Sequence, residues 1–282
     1  MGCCTSRPTD DDTYEPSSFV MSAFINMKTD YTAKKPAVVH TEGGKVLVVC
    51  TDDGKIKMAN GKVFSSGNHP VELLLPLMHF KQAGFSFEFA TVSGSRVVME
   101  MWAFPKNDAA VKAFYDEIKP LMESPKKLDA ITSLTGFAGI FIPGGHGAMV
   151  NLPKSVSLGK LLHTAHAWGL PTISLCHGPA TLLAAAEVPG AGFPYAGYKM
   201  VTFSDATDKM TPKLGYIPGP MPWFVQETLK AKGAEILPSS ESGKCHVDRE
   251  LITGDSPAAA NALGILAGPI MVEAWAKRQK PV

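Results

Sequence analysis

The chain has no apolar run long enough to cross a bilayer, no visible secretory signal, no internal repeat and no low-complexity segment. It also lacks a charge imbalance: 27 Lys and Arg against 26 Asp and Glu leave a net charge of +1. A surface without excess positive charge is ill suited to tracking phosphates, so no nucleic-acid-binding surface is expected. Cysteine is scarce and scattered, at Cys3, Cys4, Cys50, Cys176 and Cys245. An odd set without zinc spacing argues against a disulfide framework and for reduced thiols in a cytoplasmic setting. What is present is ordinary for a globular chain of 282 residues: 45% hydrophobic and 19% charged, enough for a sizeable core. That length suits one large α/β domain or a main domain with a small appendage.

The amino terminus stands apart. Met1-Gly2-Cys3-Cys4-Thr5-Ser6 fits the pattern for N-myristoylation at Gly2, with Cys3 and Cys4 as adjoining palmitoylation sites. Two or more acyl chains would attach the protein stably to a membrane where one would not. The competing reading is a polar tail with incidental cysteines. Residues 1–44 are rich in Asp, Ser, Thr, Pro and Lys without a sustained period, and read as a partly disordered extension with no core of its own.

From residue 45 onward strands and helices alternate. Lys45–Cys50 and Phe137–Ile142 are continuous apolar runs, as expected of strands buried on both faces. Pro70 to Ala83 reads as a helix closed by Gly84, which Pro76 should kink or interrupt; Asp108–Met122, Ser155–Trp168 and Pro222–Lys232 are further helices. Phe85–Val92, Tyr198–Phe203, Ala234–Leu237 and Arg249–Thr253 read as strands, and Ser256-Pro257 opens a final helix. This order predicts a mostly parallel sheet covered by helices on both faces, with insertions around 52–68 and 94–135. In such sheets ligands gather outside the carboxyl ends of the strands.

The chain is organised around Leu170-Pro-Thr-Ile-Ser-Leu-Cys176-His177-Gly178-Pro179-Ala180. A buried strand stops at Cys176 and a helix begins at once, which places the thiol beside backbone N–H groups and a helix amino terminus that favour thiolate. Three other loops end at the same sheet edge. One carries Glu72, able to donate or take a proton; Pro143-Gly144-Gly145-His146-Gly147 carries glycines that let N–H groups point at an oxyanion; Asp205 ends a fourth strand and is the carboxylate expected to orient His177. Each has a plainer reading. Cys176 could be an inert buried thiol, Glu72 a helix-dipole partner, Asp205 a turn cap, and His146 a cap on the glycine loop rather than a substrate contact.

Together these runs resemble the DJ-1/ThiJ/PfpI superfamily and, within it, the Hsp31-like glyoxalase III and chaperone group. The matching segments are Phe64 to Pro76 including Glu72, Pro143 to Ala148, Ser174 to Ala180, Phe203 to Asp208 and Leu251 to Pro257. They lie in residue 45 to the carboxyl terminus; the arm before it shows no clear similarity. The resemblance implies a flavodoxin-like three-layer sandwich with a small inserted subdomain, a homodimer, and cofactor-free conversion of methylglyoxal (or glyoxal) to the hydroxy acid, D-lactate in the first case. It implies Cys176 as nucleophile, His177 and Asp205 as its partners, and Glu72 as the acid poised at sulfur. The alternatives it carries are a holding chaperone for unfolded proteins, or a protein deglycase, with a redox-sensitive cysteine; a cysteine amidase or peptidase is a third. Bacterial relatives of the group carry a His, Glu, His metal site, but the aligned positions here are Lys81, Ser86 and Ile118, so no metal is expected there.

Overall fold

The computed structural model describes residues 5–33 and 44–279. Gly2, Cys3 and Cys4 lie outside the described residues, and so does the acylation expected there. The strands are β1 (Arg7–Pro8), β2 (Tyr14–Glu15), β3 (Lys45–Val49), β4 (Lys55–Lys57), β5 (Val63–Ser65), β6 (Ser86–Thr91), β7 (Lys126–Lys127), β8 (Phe137–Ile142), β9 (Thr172–Leu175), β10 (Lys199–Met200), β11 (Glu235–Ile236), β12 (Cys245–Asp248) and β13 (Leu251–Gly254). The helices are α1 (Ser18–Phe24), α2 (Pro70–Gln82), α3 (Ala109–Glu123), α4 (Val156–Ala167), α5 (Asp205–Leu214), α6 (Val225–Ala231) and α7 (Ala260–Gln279).

Seven strands form the central sheet in the order β12-β13-β9-β8-β3-β6-β7, parallel throughout except for the β12/β13 edge pair. Side chains alternate across it. Leu47, Val49, Ile140 and Ile142 join one core with α4, α6 and the stretch after Cys176; Val46, Val48 and Phe141 join another with α2, α3 and α7. Both faces are therefore buried, which is why the strands read as unbroken apolar runs rather than alternating ones. At roughly 1.5–3 kcal/mol for each large apolar side chain buried, the two cores supply the dominant stabilising contribution.

Helix α2 continues through Pro76, and α7 through Pro269. Each proline costs one backbone hydrogen bond, but packing of α2 against α7 outweighs that loss. The segment after Cys176 is a ten-residue 3-10 helix, Gly178–Glu187, rather than an α-helix, and it is buried from Gly178 to Ala185, so tertiary packing sets its winding. The Tyr198–Phe203 strand shortens to β10, because Val201 N–H donates to Thr253 Oγ1 instead of joining a ladder.

The amino-terminal arm is more structured than its composition suggests. Its strands β1 and β2 join β5 and β4 from the first insertion in a four-stranded sheet of order β1-β2-β5-β4. Ser17 caps α1 by accepting from Val20 N–H at 3.2 Å, and Val20 is buried. Asp108 then ties the arm to α3: it accepts from Thr29 N–H and Oγ1–H at 3.0 and 2.6 Å while capping α3 through Val111 N–H at 3.1 Å.

Candidate active site

Strand β9 ends at Leu175, and Cys176 takes φ +59°, a left-handed conformation that costs an L-residue about 1–2 kcal/mol. The backbone holds it there from both sides. Cys176 N–H donates to Gly254 O on the neighbouring strand at 2.9 Å, and its carbonyl accepts from Phe203 N–H at 2.9 Å. Such strain persists only where the surroundings over-determine it, and here it turns the thiol into a cavity of about 630 Å³ at the carboxyl edge of the sheet.

Three groups converge on the sulfur. His177 Nδ1 lies 3.3 Å from Sγ, and His177 N–H is directed at it as well. Glu72, placed in the first turn of α2 by Pro70, is fully buried and faces the Cys176 thiol and the Gly144 N–H, though neither carboxylate oxygen reaches well-aligned hydrogen-bond geometry. Gly144 makes room for this contact, since a Cβ there would overlap Glu72 Oε2 and lie 2.8 Å from Cys176 Cβ. Gly145, at φ +95°, is the residue whose backbone only glycine adopts without strain.

The orienting carboxylate is Asp208 and not Asp205. Ser204 caps α5, and one turn later Asp208 Oδ2 meets His177 Nε2 at 2.9 Å. Asp205, at the first helical position, points elsewhere: its two oxygens accept from Gln226 and Glu227 N–H at 2.9 and 2.8 Å and cap the start of α6. Its plainer reading as a cap is the one the geometry favours. The cue for Asp208 lay in the Phe203 to Asp208 segment itself, because a serine cap at 204 leaves the second aspartate a full turn into the helix.

Glu100 is the other residue that sequence reasoning missed. It is buried, accepts from Ser66 Oγ–H at 3.1 Å and His146 N–H at 3.2 Å, and approaches His146 Nδ1 at 3.8 Å. Its cue was a single acid inside the apolar run Val97-Val-Met-Glu100-Met-Trp102. On its other side, His146 Nε2 lies 3.6 Å from Asp208 Oδ1, and the His146 and His177 rings pack at 4.2 Å. His177 also stacks on Phe203 at 4.7 Å.

Burial sets the electrostatics. It pushes Glu72 well above the usual carboxylate range, so this carboxyl keeps its proton. Burial also pushes the Cys176 thiol up, and an ionised Glu72 would push it further; a protonated Glu72 removes that repulsion and can donate to sulfur. Burial works against a charged His146, but Asp208 and Glu100 outweigh it and hold this imidazole protonated, pushed up to about 10. Burial likewise opposes an ionised Asp208, yet His177 and His146 hold it well below its ordinary value. His69, at the same cavity wall, is lowered by burial to about 4 and is neutral.

Donor atoms of His146, His177 and Asp208 lie within 4.8 Å of one another, close enough in principle for a cation. Of these contacts only His177 Nε2–Asp208 Oδ2 is a hydrogen bond, while His146 Nε2 and Asp208 Oδ1 face each other at 3.6 Å without one. Lys81 ion-pairs with Glu117 and Ile118 is a buried core side chain, so both are occupied in other roles.

The sequence model of the DJ-1/PfpI family matches residues 63–266. The protein/nucleic acid deglycase HchA of Pseudomonas aeruginosa (strain UCBPP-PA14) is 42% identical, covering 97% of this chain and 98% of its own. Protein/nucleic acid deglycase 1 of Escherichia coli (strain K12) is also 42% identical, with 95% of each chain covered. Similarity at that coverage extends into the arm before residue 45, where none had been expected. Among solved structures, glyoxalase III from Candida albicans shares the fold at TM-score 0.64 and 20% identity, covering 80% of this chain and 97% of that one.

Proposed function

The chain belongs to the DJ-1/PfpI family, and we propose that it is a thiol-dependent enzyme that traps α-oxoaldehydes such as methylglyoxal at Cys176 and releases them as the 2-hydroxy acid. The observation that supports this reading is the fully buried Glu72 carboxyl at the sulfur, whose proton affinity burial raises. Cysteine, histidine and aspartate alone would suit any acyl transfer. Moving hydrogen between two adjacent carbons needs a further acid/base at the substrate, and a carboxyl with raised proton affinity can both donate and accept there.

The steps follow from these positions. His177 Nδ1 takes the thiol proton while sulfur adds to the aldehyde carbon, and Glu72 gives its proton to the carbonyl oxygen, forming a hemithioacetal. Glu72, now a carboxylate, removes the hydrogen from that carbon as a proton, the electron pair forms the carbon–carbon double bond, and the neighbouring carbonyl oxygen takes the proton held by His177, giving an enediol and a neutral imidazole. Glu72 returns its proton to the second carbon and takes the hydroxyl proton of the first, which gives a 2-hydroxy thioester, an isomer of the hemithioacetal. Water, deprotonated by His177, then cleaves the carbon–sulfur bond and returns the thiol. The net reaction is aldehyde plus water to hydroxy acid.

A second reading, that of the curated relatives, changes only the first step. An amine adduct of the aldehyde would meet the same sulfur, which displaces the amine and takes the same path. The cavity favours admitting this substrate, because about 630 Å³ is far more than a three-carbon aldehyde fills. Chiral detection of lactate from methylglyoxal, without glutathione, tests the shared chemistry; absence of lactate ends both readings. Repeating the assay on a preformed amine adduct with excess aminoguanidine to trap free aldehyde separates them. Lactate that persists comes from the adduct, and lactate that disappears came from free aldehyde.

A further inference from the structure

We propose that Glu100 is a positioning residue of this site: it holds His146 as a cation against Asp208, so that His177 keeps one tautomer with Nδ1 open to the Cys176 thiol. The inference deepens the proposed chemistry and names how the base is kept ready. It rests on a charge balance among buried groups. Glu100 and Asp208 are each 1% exposed. Two carboxylates at that depth require a counter-charge, and His146 is the group that contacts both, through Nδ1 at 3.8 Å and Nε2 at 3.6 Å.

Every other group facing His146 either disfavours a second cation or leaves the balance as it stands. His177 lies at 4.2 Å between ring centres, Tyr216 at 5.8 Å, and Phe64 presents an edge-to-face contact at 5.6 Å. His69 stays neutral, and Glu72 keeps its proton. The value of about 10 for His146 agrees with the geometry.

The consequence falls on His177. Asp208 offers Oδ2 to His177 Nε2 at 2.9 Å, which fixes the proton on that nitrogen and leaves Nδ1 as the acceptor at sulfur. Were His146 neutral, Asp208 would lose one of the two groups that balance its charge and fix its carboxylate against His177.

The test is Glu100→Gln, which keeps an amide oxygen for Ser66 and the His146 N–H but removes the charge. With 15N-labelled histidine, and the His146 signals assigned by His146→Asn, wild-type His146 shows the imidazolium pattern up to about pH 8. In Glu100→Gln it titrates at least one unit below the wild-type midpoint, and kcat/KM falls as Asp208 and His177 lose their alignment. A neutral His146 in the wild type near pH 7, or an unchanged His146 titration in Glu100→Gln, overturns the proposal. The wild-type measurement needs neither turnover nor the variant, so it separates this inference from failure of the proposed reaction.

Discussion

Asp208 meets His177 Nε2 at 2.9 Å from one turn inside α5, while Asp205 in the same turn spends both oxygens on the start of α6. The two carboxylates are three residues apart and have separable tasks. Asp208→Asn should reduce kcat by roughly 10²–10⁴, since an amide can present the wrong hydrogen-bonding edge to the imidazole. Asp205→Asn should cost on the order of 1 kcal/mol of stability through the weakened cap and leave kcat within a few-fold. Steady-state kinetics and thermal melts on both variants check the assignment; the opposite pattern returns the orienting role to Asp205.

Cys176→Ala should abolish lactate formation and leave thermal stability nearly unchanged. The side chain is small and buried, so its loss opens little space, whereas no other thiol among the described residues reaches the cavity. Lactate production persisting in this variant would remove the thiol from the chemistry. Mass spectrometry of wild type after brief exposure to methylglyoxal should show an adduct on the peptide that carries Cys176, and none in the variant.

Much of this site could be read in the sequence because strand-to-helix turns at a sheet edge leave local signatures. Cys176-His177-Gly178-Pro179 marks one such turn, Pro143-Gly144-Gly145-His146 another, and Pro70 fixed Glu72 in a first helical turn. Parallel strands buried on both faces were legible as unbroken apolar runs for the same local reason. Glu100 was not legible, because its contacts with Ser66 and His146 join segments 34 and 46 residues away and no period marks its own. The arm failed similarly: its strands exist through pairing with β5, and composition records nothing of a distant partner. Asp208 fell between these cases, within the right segment but decided by one helical turn.

Glu72 should also control how stability depends on pH. Burial raises its proton affinity in the folded state above the ordinary value of 4.5, so the native protein keeps a proton that the unfolded chain has lost. Where the native state binds more protons than the unfolded one, stability falls as pH rises. The Glu72 contribution is therefore fully present below 4.5 and is lost as pH climbs toward the raised folded value. Glu72→Gln removes that loss: its Tm relative to wild type should climb as pH rises above the ordinary value of 4.5, while lactate formation falls at least about tenfold. A flat difference in Tm across that range would mean that Glu72 is ionised in the folded protein.

Gly144 gives the sharpest test of how closely the acid and the nucleophile must approach. A methyl group there would overlap Glu72 Oε2 and press on Leu175 O at 2.5 Å and Cys176 Cβ at 2.8 Å. Two of these three belong to the strand end, which β8 and β13 hold in register, so the Glu72 side chain is the part able to move. Gly144→Ala should therefore displace Glu72 from sulfur, at a cost of about 1–3 kcal/mol for overpacking. The thiol itself remains, and so does its contact with His177. Adduct formation on Cys176 should consequently survive while the later hydrogen transfer fails, so that methylglyoxal labels the protein without lactate appearing. Mass spectrometry and chiral lactate detection on the same sample read the two steps separately. Loss of both together would show that the glycine is needed to shape the cysteine turn rather than to admit Glu72.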